Sequence, residues 1–238
     1  VRITSRILRN ASKSFRCDFW KTSIDASSLF ATYYTVCISN PYRIVCELGA
    51  QPVPVDVDSE TYLMDLADAE RRVTSKTKGI IAVHLYGQTL NMNSLMDFAH
   101  SHKLFIIEDA CQAHGAMYKG KKVGSIGDIG AFSFFANKTI TCGEGGMVVT
   151  NSKELAEKAK SLKNLAYGKI NKFVHEDIGF NYRLPNISAA LGLGQFANID
   201  KVFLDKKRLN TFPRFIQLSK IGRANVEEMR DFKRIREI

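Results

Sequence analysis

The chain has 238 residues, 45% hydrophobic and 24% charged, with a formal net charge of +10, enough for one large domain or one and a half around a sizeable core. The positive charge sits at the ends: residues 1–43 carry +5, residues 206–238 carry +6, and the stretch between them −1, a distribution that argues against a nucleic-acid-binding body and for solvated basic flanks. Five cysteines without a CxxC pair, no histidine at metal-ligand spacing, no signal peptide and no apolar run of about 18 residues point to a reduced, soluble, cytoplasmic protein without a metal site or a membrane span.

Residues 1–43 show neither clean alternation nor a sustained helical stripe and form an altered N-terminal segment. From residue 52 the rhythm is regular. "PVPVDV" is a short β-branched strand, and "MDLADAERRV" has helical spacing with Asp65 as its N-cap. "GIIAVHLYG" (79–87) is a strand buried on both faces and stopped by glycine. "NSLMDFAHSH" places Leu95, Met96 and Ala99 at helical spacing with Asn93 as a cap, and "LFIIED" (104–109) is a second buried strand that ends in two carboxylates. "YKGKKVG" reads as a tight hairpin, "AFSFF" and "GMVVT" as strands, and Ser152 as the cap of "KELAEKAKSLKNL", with Leu155, Ala159 and Leu162 on one side. "NISAALGLGQFANIDKVFLDKKRLN" is helical and Pro213 ends or kinks it. The chain thus divides into 1–43, a body at 44–205, and a basic helical stub at 206–238.

Strands alternating with helices imply an α/β sandwich of three layers, a parallel or mixed sheet with helices on both faces. Ligands in such folds gather at the carboxyl ends of the strands. That brings Asp109 and the loop after "AFSFF" to one rim. In "GDIGAFSFFANKTITCGEGG" (127–146) Lys138 stands between aromatics and glycines. A primary amine in a partly desolvated pocket loses some of its preference for the proton, which frees its lone pair to attack a carbonyl. An imine with pyridoxal phosphate also needs a carboxylate beside the pyridine nitrogen, and Asp109 is placed for that. Ser133 and neighbouring turns supply donors for the phosphate, and Gln112 can donate to the phenolic oxygen. Each residue has a plainer reading. Lys138 alone reads as a surface lysine, Asp109 as a helix cap, Ser133 as a small sheet residue, and Gln112 and His114 as polar groups on a short helix. His84 reads as a hydrogen-bonded core histidine. Order and spacing together favour the chemical reading.

Three segments carry a resemblance: "GAQPVPVDVDSETYLMD", the run from "TKGIIAVHLYG" through "IIEDACQAHG", "FSFFANKTITCGEGG" and "KELAEKAKSLKN", and "GFNYRLPNISAALGLGQ". Over about residues 49–200 the sequence resembles the DegT/DnrJ/EryC1/StrS sugar aminotransferases, which implies the large domain of the aspartate-aminotransferase (type I) fold with pyridoxal 5'-phosphate as cofactor. "FSFFANKTITCGEGG" and "FNYRLPNISAALG" look most similar to the perosamine-forming branch, which moves an amino group from glutamate to C4 of GDP-4-keto-6-deoxymannose. The resemblance implies Lys138 as the imine-forming lysine and proton shuttle, Asp109 as the partner of the ring nitrogen, and Gln112 at the phenolic oxygen. It implies Ser133 as a phosphate ligand and Asn181 as a phosphate ligand reaching across a homodimer interface. Related 3-dehydratases carry histidine in place of the lysine, so Lys138 implies transamination. The family's Gly-Thr phosphate turn and the aromatic that stacks on the ring are not recognisable in residues 1–43, although "LFATYY" offers aromatics. Its small C-terminal domain is almost wholly missing after Asn210. The chain is therefore expected to be a large-domain fragment with weakened cofactor affinity; the alternative is a non-catalytic remnant that keeps dimerisation or sugar-nucleotide binding.

Overall fold

The computed structural model describes residues 28–32, 39–168, 170–175 and 177–203. The expectations for the basic stub at 206–238, for Pro213 and for the tyrosines of "LFATYY" lie outside these residues. The described elements in chain order are β1 (Ser28–Thr32), α1 (Ser39–Glu47), β2 (Pro52–Val55), α2 (Leu66–Arg72), β3 (Thr77–Val83), a 3-10 turn (Leu85–Gly87), α3 (Met92–His102) and β4 (Phe105–Asp109). There follow the hairpin β5 (Met117–Tyr118) and β6 (Lys121–Lys122), then β7 (Ile129–Ser133), β8 (Gly146–Val149), α4 (Lys153–Lys163) and α5 (Asn186–Phe196).

Six strands form one sheet in the order β2-β1-β3-β4-β7-β8. The pairs β2–β1, β1–β3, β3–β4 and β4–β7 are parallel, and β8 joins β7 antiparallel. The fold is α/β with a mixed, mostly parallel sheet, as the alternation of strands and helices predicts. One correction concerns its start. Residues 28–32, read as patternless, form a strand between β2 and β3, and α1 runs across position 43.

The period-2 alternation of the strands assigns their faces. Ile80 and Ala82 of β3 and Ile106 of β4 pack with Ala69 of α2 and Met92, Leu95, Phe98 and Ala99 of α3. Ile81 and Val83, with Phe105 and Ile107, turn to the other face, where Val45 of α1 covers them. This is the three-layer arrangement. Asp65 and Ser152 cap α2 and α4 by accepting from the amides of Ala67 and Leu155, as expected. The cap of α3 is Asn91 rather than Asn93, its side chain accepting from the Ser94 amide. Leu95 and Ala99, four residues apart, are buried, while Met96 is exposed.

Candidate active site

Two carboxylates end β4, and alternation sends them apart. Glu108 turns to the α2–α3 side and is fully buried. Asp109 turns to the α1 side, in register with Val83 of β3 and Ala131 of β7. Register partners on neighbouring strands project to the same face, and so do residues two apart on one strand. Ser133, at the end of β7, therefore leaves the sheet on the same face and at the same rim as Asp109.

Asp109 Oδ1 accepts from the Cys111 amide at 3.0 Å. A turn rather than a helix follows Asp109, so this bond is a turn contact and not the helix cap of the plainer reading; it fixes the carboxylate through one oxygen and leaves Oδ2 to address a ligand. Gln112 lies on the turn that follows. Its Oε1 accepts from the Tyr86 amide at 3.0 Å, which sets the carboxamide the right way round for Nε2 to donate. Tyr86 holds a left-handed conformation (φ 53, ψ 23), unusual for a bulky residue. Ser133 Oγ accepts from the Phe135 amide at 3.2 Å, and its own proton is available to an acceptor.

Lys138 is half-buried in the loop between β7 and β8. The strand read as "AFSFF" ends at Ser133, so Phe134 and Phe135 belong to this loop. Its base is closed by the Phe134 amide on the Gly145 carbonyl at 2.8 Å and the Cys142 amide on the Phe134 carbonyl at 2.9 Å. Within it the Lys138 amide donates to the Phe135 carbonyl at 3.0 Å. The aromatics beside Lys138 in sequence do not all crowd it. The rings of Phe132 and Phe134 pack against His114 at centroid distances of 5.5 and 5.9 Å, and Phe135 is exposed. His114 stands on turns rather than on the expected short helix.

Sequence reasoning missed the residue that ties this loop down. Gln195 of α5 accepts from the Thr141 amide at 3.0 Å and donates to the Thr141 carbonyl at 2.7 Å. The helix comes close enough that a Cβ at Gly192 would meet Cys142 Sγ at 2.7 Å. A partner 54 residues away leaves no local signal. Asn181 is exposed; its Oδ1 accepts from Arg183 Nε at 2.9 Å, and it stands opposite Asn164 at the end of α4 in an isolated bridge made by the Tyr182 amide on the Lys163 carbonyl at 2.9 Å and the Leu165 amide on the Phe180 carbonyl at 3.0 Å. The structure joins it to α4 and not to the rim.

His84 is buried, as expected, and its ring is hydrogen-bonded. Nε2 meets Glu108 Oε2 at 3.0 Å and Nδ1 accepts from the Leu90 amide at 3.3 Å. Burial pushes the Glu108 carboxyl up, but the bonds from His84 and from the Gly127, Gly124 and Ile126 amides outweigh it and hold it below its ordinary value.

The donor set at this rim is a carboxylate, a carboxamide, a hydroxyl and, in the adjoining loop, an amine. It fits a protonated ring nitrogen, a phenolic oxygen, a phosphate and an aldehyde respectively, so the residues present suit pyridoxal phosphate. Cys46 and Cys142 are free thiols. No group of three or more potential metal ligands occurs among the described residues.

Comparison with known proteins agrees. Residues 39–218 match the DegT/DnrJ/EryC1/StrS aminotransferase family. A GDP-perosamine synthase of Escherichia coli O157:H7 is 49% identical over 160 residues, 67% of this chain and 44% of that protein. The UDP-N-acetyl-3-dehydro-alpha-D-glucosamine 3-aminotransferase of Acidithiobacillus ferrooxidans is 44% identical over 156 residues, 65% of this chain and 42% of its own. Among solved structures, an aminotransferase from Psychrobacter cryohalolentis superposes with a TM-score of 0.69 at 36% identity, covering 77% of this chain and 49% of that one. The chain spans less than half the length of these curated relatives. Enzymes of this kind work with pyridoxal phosphate. By its motifs, its sheet and the extent of the match, the chain belongs to the DegT/DnrJ/EryC1/StrS aminotransferase family.

Proposed function

We propose that this chain is the cofactor-binding part of a sugar-nucleotide aminotransferase of the GDP-perosamine-synthase kind. It moves an amino group from glutamate to a nucleotide-linked 4-keto-6-deoxy sugar in the cytoplasm. The observation that carries the reading is the shared rim: Asp109 and Ser133 leave adjacent parallel strands on one face, and Lys138 follows five residues after Ser133. The 49% identity to a GDP-perosamine synthase favours that substrate class.

Pyridoxal phosphate, when bound, supplies a carbonyl that carries the amino group and a ring that draws electrons from the neighbouring carbon. Asp109, fixed through Oδ1 by the Cys111 amide, presents Oδ2 to the proton on the ring nitrogen and keeps that proton in place. Gln112 Nε2 donates to the phenolic oxygen. Ser133 Oγ donates to the phosphate. Lys138 Nζ would take a proton from the substrate carbon that bears the amino group and return it on the far side of that nitrogen, a transfer that needs the amine close and unprotonated in part of the cycle. The Gln195–Thr141 clamp holds the loop from which it reaches.

The working unit is a homodimer in which the partner subunit's Asn181 completes the phosphate site. Asn181 is exposed and flanked by exposed Tyr182 and Leu184, and α5 carries exposed Ile187, Leu191, Leu193 and Phe196. Exposed apolar side chains on more than one side of this helix support an interface. No helix among the described residues is long and apolar enough to cross a membrane.

The test is the first half-reaction. Glutamate added to the cofactor-loaded protein should change the visible spectrum and release one 2-oxoglutarate per site, and a GDP-linked 4-keto-6-deoxy sugar should reverse the change. Neither should occur with Lys138→Ala. A loaded protein that performs neither half is the non-catalytic remnant instead.

A further inference from the structure

Glu108 and His84 are both 0% exposed, and their side chains meet on the face of the sheet away from the one on which Asp109 and Ser133 emerge. Glu108 Oε1 accepts from the amides of Ile126 and Gly127 at 2.7 and 2.6 Å, and Oε2 accepts from the Gly124 amide at 2.7 Å and from His84 at 3.0 Å. Each carboxylate oxygen thus takes two donors. The Leu90 amide on Nδ1 assigns the tautomer of His84: Nδ1 accepts and Nε2 donates.

These bonds join the segments that carry the proposed ligands. The His84 amide donates to the Asp109 carbonyl at 3.0 Å and the His84 carbonyl accepts from the Gly87 amide at 3.3 Å. Between them stands Tyr86, whose amide holds Gln112 Oε1. On the other side of Glu108, the loop at Gly124 lies so close to β7 that a Cβ on Gly130 would meet the Gly124 carbonyl oxygen at 2.0 Å. One buried carboxylate therefore pins the end of β4, the loop against β7 and, through His84, the turn that orients Gln112.

We propose that His84 and Glu108 are a positioning pair for cofactor binding: from the opposite face of the sheet they fix the backbone from which Asp109 and Gln112 reach the ring. The proposal rests on the reading of Asp109 and Gln112 given above. His84 and Glu108 touch neither cofactor nor substrate; they act through the strand end and the Tyr86 turn. A carboxylate with four donors suits this work because any tilt of the strand end lengthens several charge-assisted bonds at once.

The test is a double-mutant cycle on the full chain, with the affinity for pyridoxal phosphate read by spectroscopic titration and folding by circular dichroism. His84→Asn removes the donor to Glu108 and should weaken cofactor binding about 10- to 100-fold, the range for removing the outer partners of directly binding groups. In an Asp109→Asn, Gln112→Ala background the same change should cost less than about threefold, because its effect passes through those two residues. The pH at which the bound cofactor changes its visible spectrum should also move in His84→Asn. A destabilised core control, Leu95→Ala, should lose thermal stability and leave that pH and the affinity in place. The cycle is repeated with Glu108→Asp, which keeps the charge and withdraws it by one methylene, so that one poorly folding variant does not decide the matter. Equal losses in both backgrounds, or losses that merely track melting temperature as in Leu95→Ala, overturn the positioning role alone. A wild-type chain that takes up no pyridoxal phosphate overturns the reading of the site, and the proposal with it.

Discussion

Glu108 and Asp109 are neighbours in the chain and leave β4 on opposite faces of the sheet, one sealed under four hydrogen-bond donors and the other at the open rim. Substitution should separate them. Asp109→Asn keeps an oxygen for the Cys111 amide and should change stability by less than about 0.5 kcal/mol, while amino transfer falls by about 100-fold or more. Glu108→Gln turns an amide group toward N–H donors that have no other acceptor, and should cost about 1–3 kcal/mol of folding stability in urea titrations. Similar stability losses in the two variants would contradict the division.

Acid stability follows from the same carboxylate. Glu108 is held below its ordinary value of 4.5, and Asp68, bonded by Arg72 and the Asp56 amide, is held at about 2 against an ordinary 3.8. A carboxyl lowered in the folded state adds stability that is complete above its unfolded value and disappears as pH falls through its folded value. Unfolding free energy should therefore be level above about pH 5 and decline below about pH 4.5, with the Asp68 share lost last, between about pH 4 and 2. In Glu108→Gln the upper part of that decline should flatten. A stability that rises on acidification from about pH 5 to 3 would contradict the assignment.

The loop that carries Lys138 is hydrogen-bonded to α5 through one side chain, Gln195. Gln195→Ala removes both of its bonds to Thr141 and should cost about 1–2 kcal/mol. It should also weaken cofactor retention on gel filtration while leaving the sheet intact by circular dichroism. Unchanged retention would show that the loop keeps its shape without α5.

These cases show what the sequence made legible and what it did not. Strands β3, β4 and β8, the hairpin, and the caps Asp65 and Ser152 carry local signals: apolar runs, a turn glycine, an oxygen ahead of a helix. The site residues were legible as an ordered motif, and alternation along β4 was enough to part Glu108 from Asp109. Strand β1 was not legible. "SLFAT" is short, lies in a stretch without a period, and owes its place to pairing with β2 and β3. Asn91 and Asn93 offer the same capping chemistry, and only the backbone decides between them. The Gln195 clamp and the four-donor cage of Glu108 arise from chain contacts 16 to 54 residues apart, which no local pattern records.

Subunit sharing can be tested by complementation. If the partner subunit's Asn181 serves each Lys138, mixing inactive Lys138→Ala with impaired Asn181→Ala should restore activity to about a quarter of wild type, since half the dimers are mixed and each has one intact site. No recovery after dissociation and remixing would place both residues in one subunit's site or show that the chain does not dimerise.

The central claim is that Lys138 holds the cofactor. Borohydride reduction of the protein loaded with pyridoxal phosphate, followed by peptide mapping, tests it most directly: the account predicts the cofactor's mass on the peptide containing Lys138 and none in Lys138→Ala. Attachment to a different lysine, or no attachment to the wild-type chain, would contradict it.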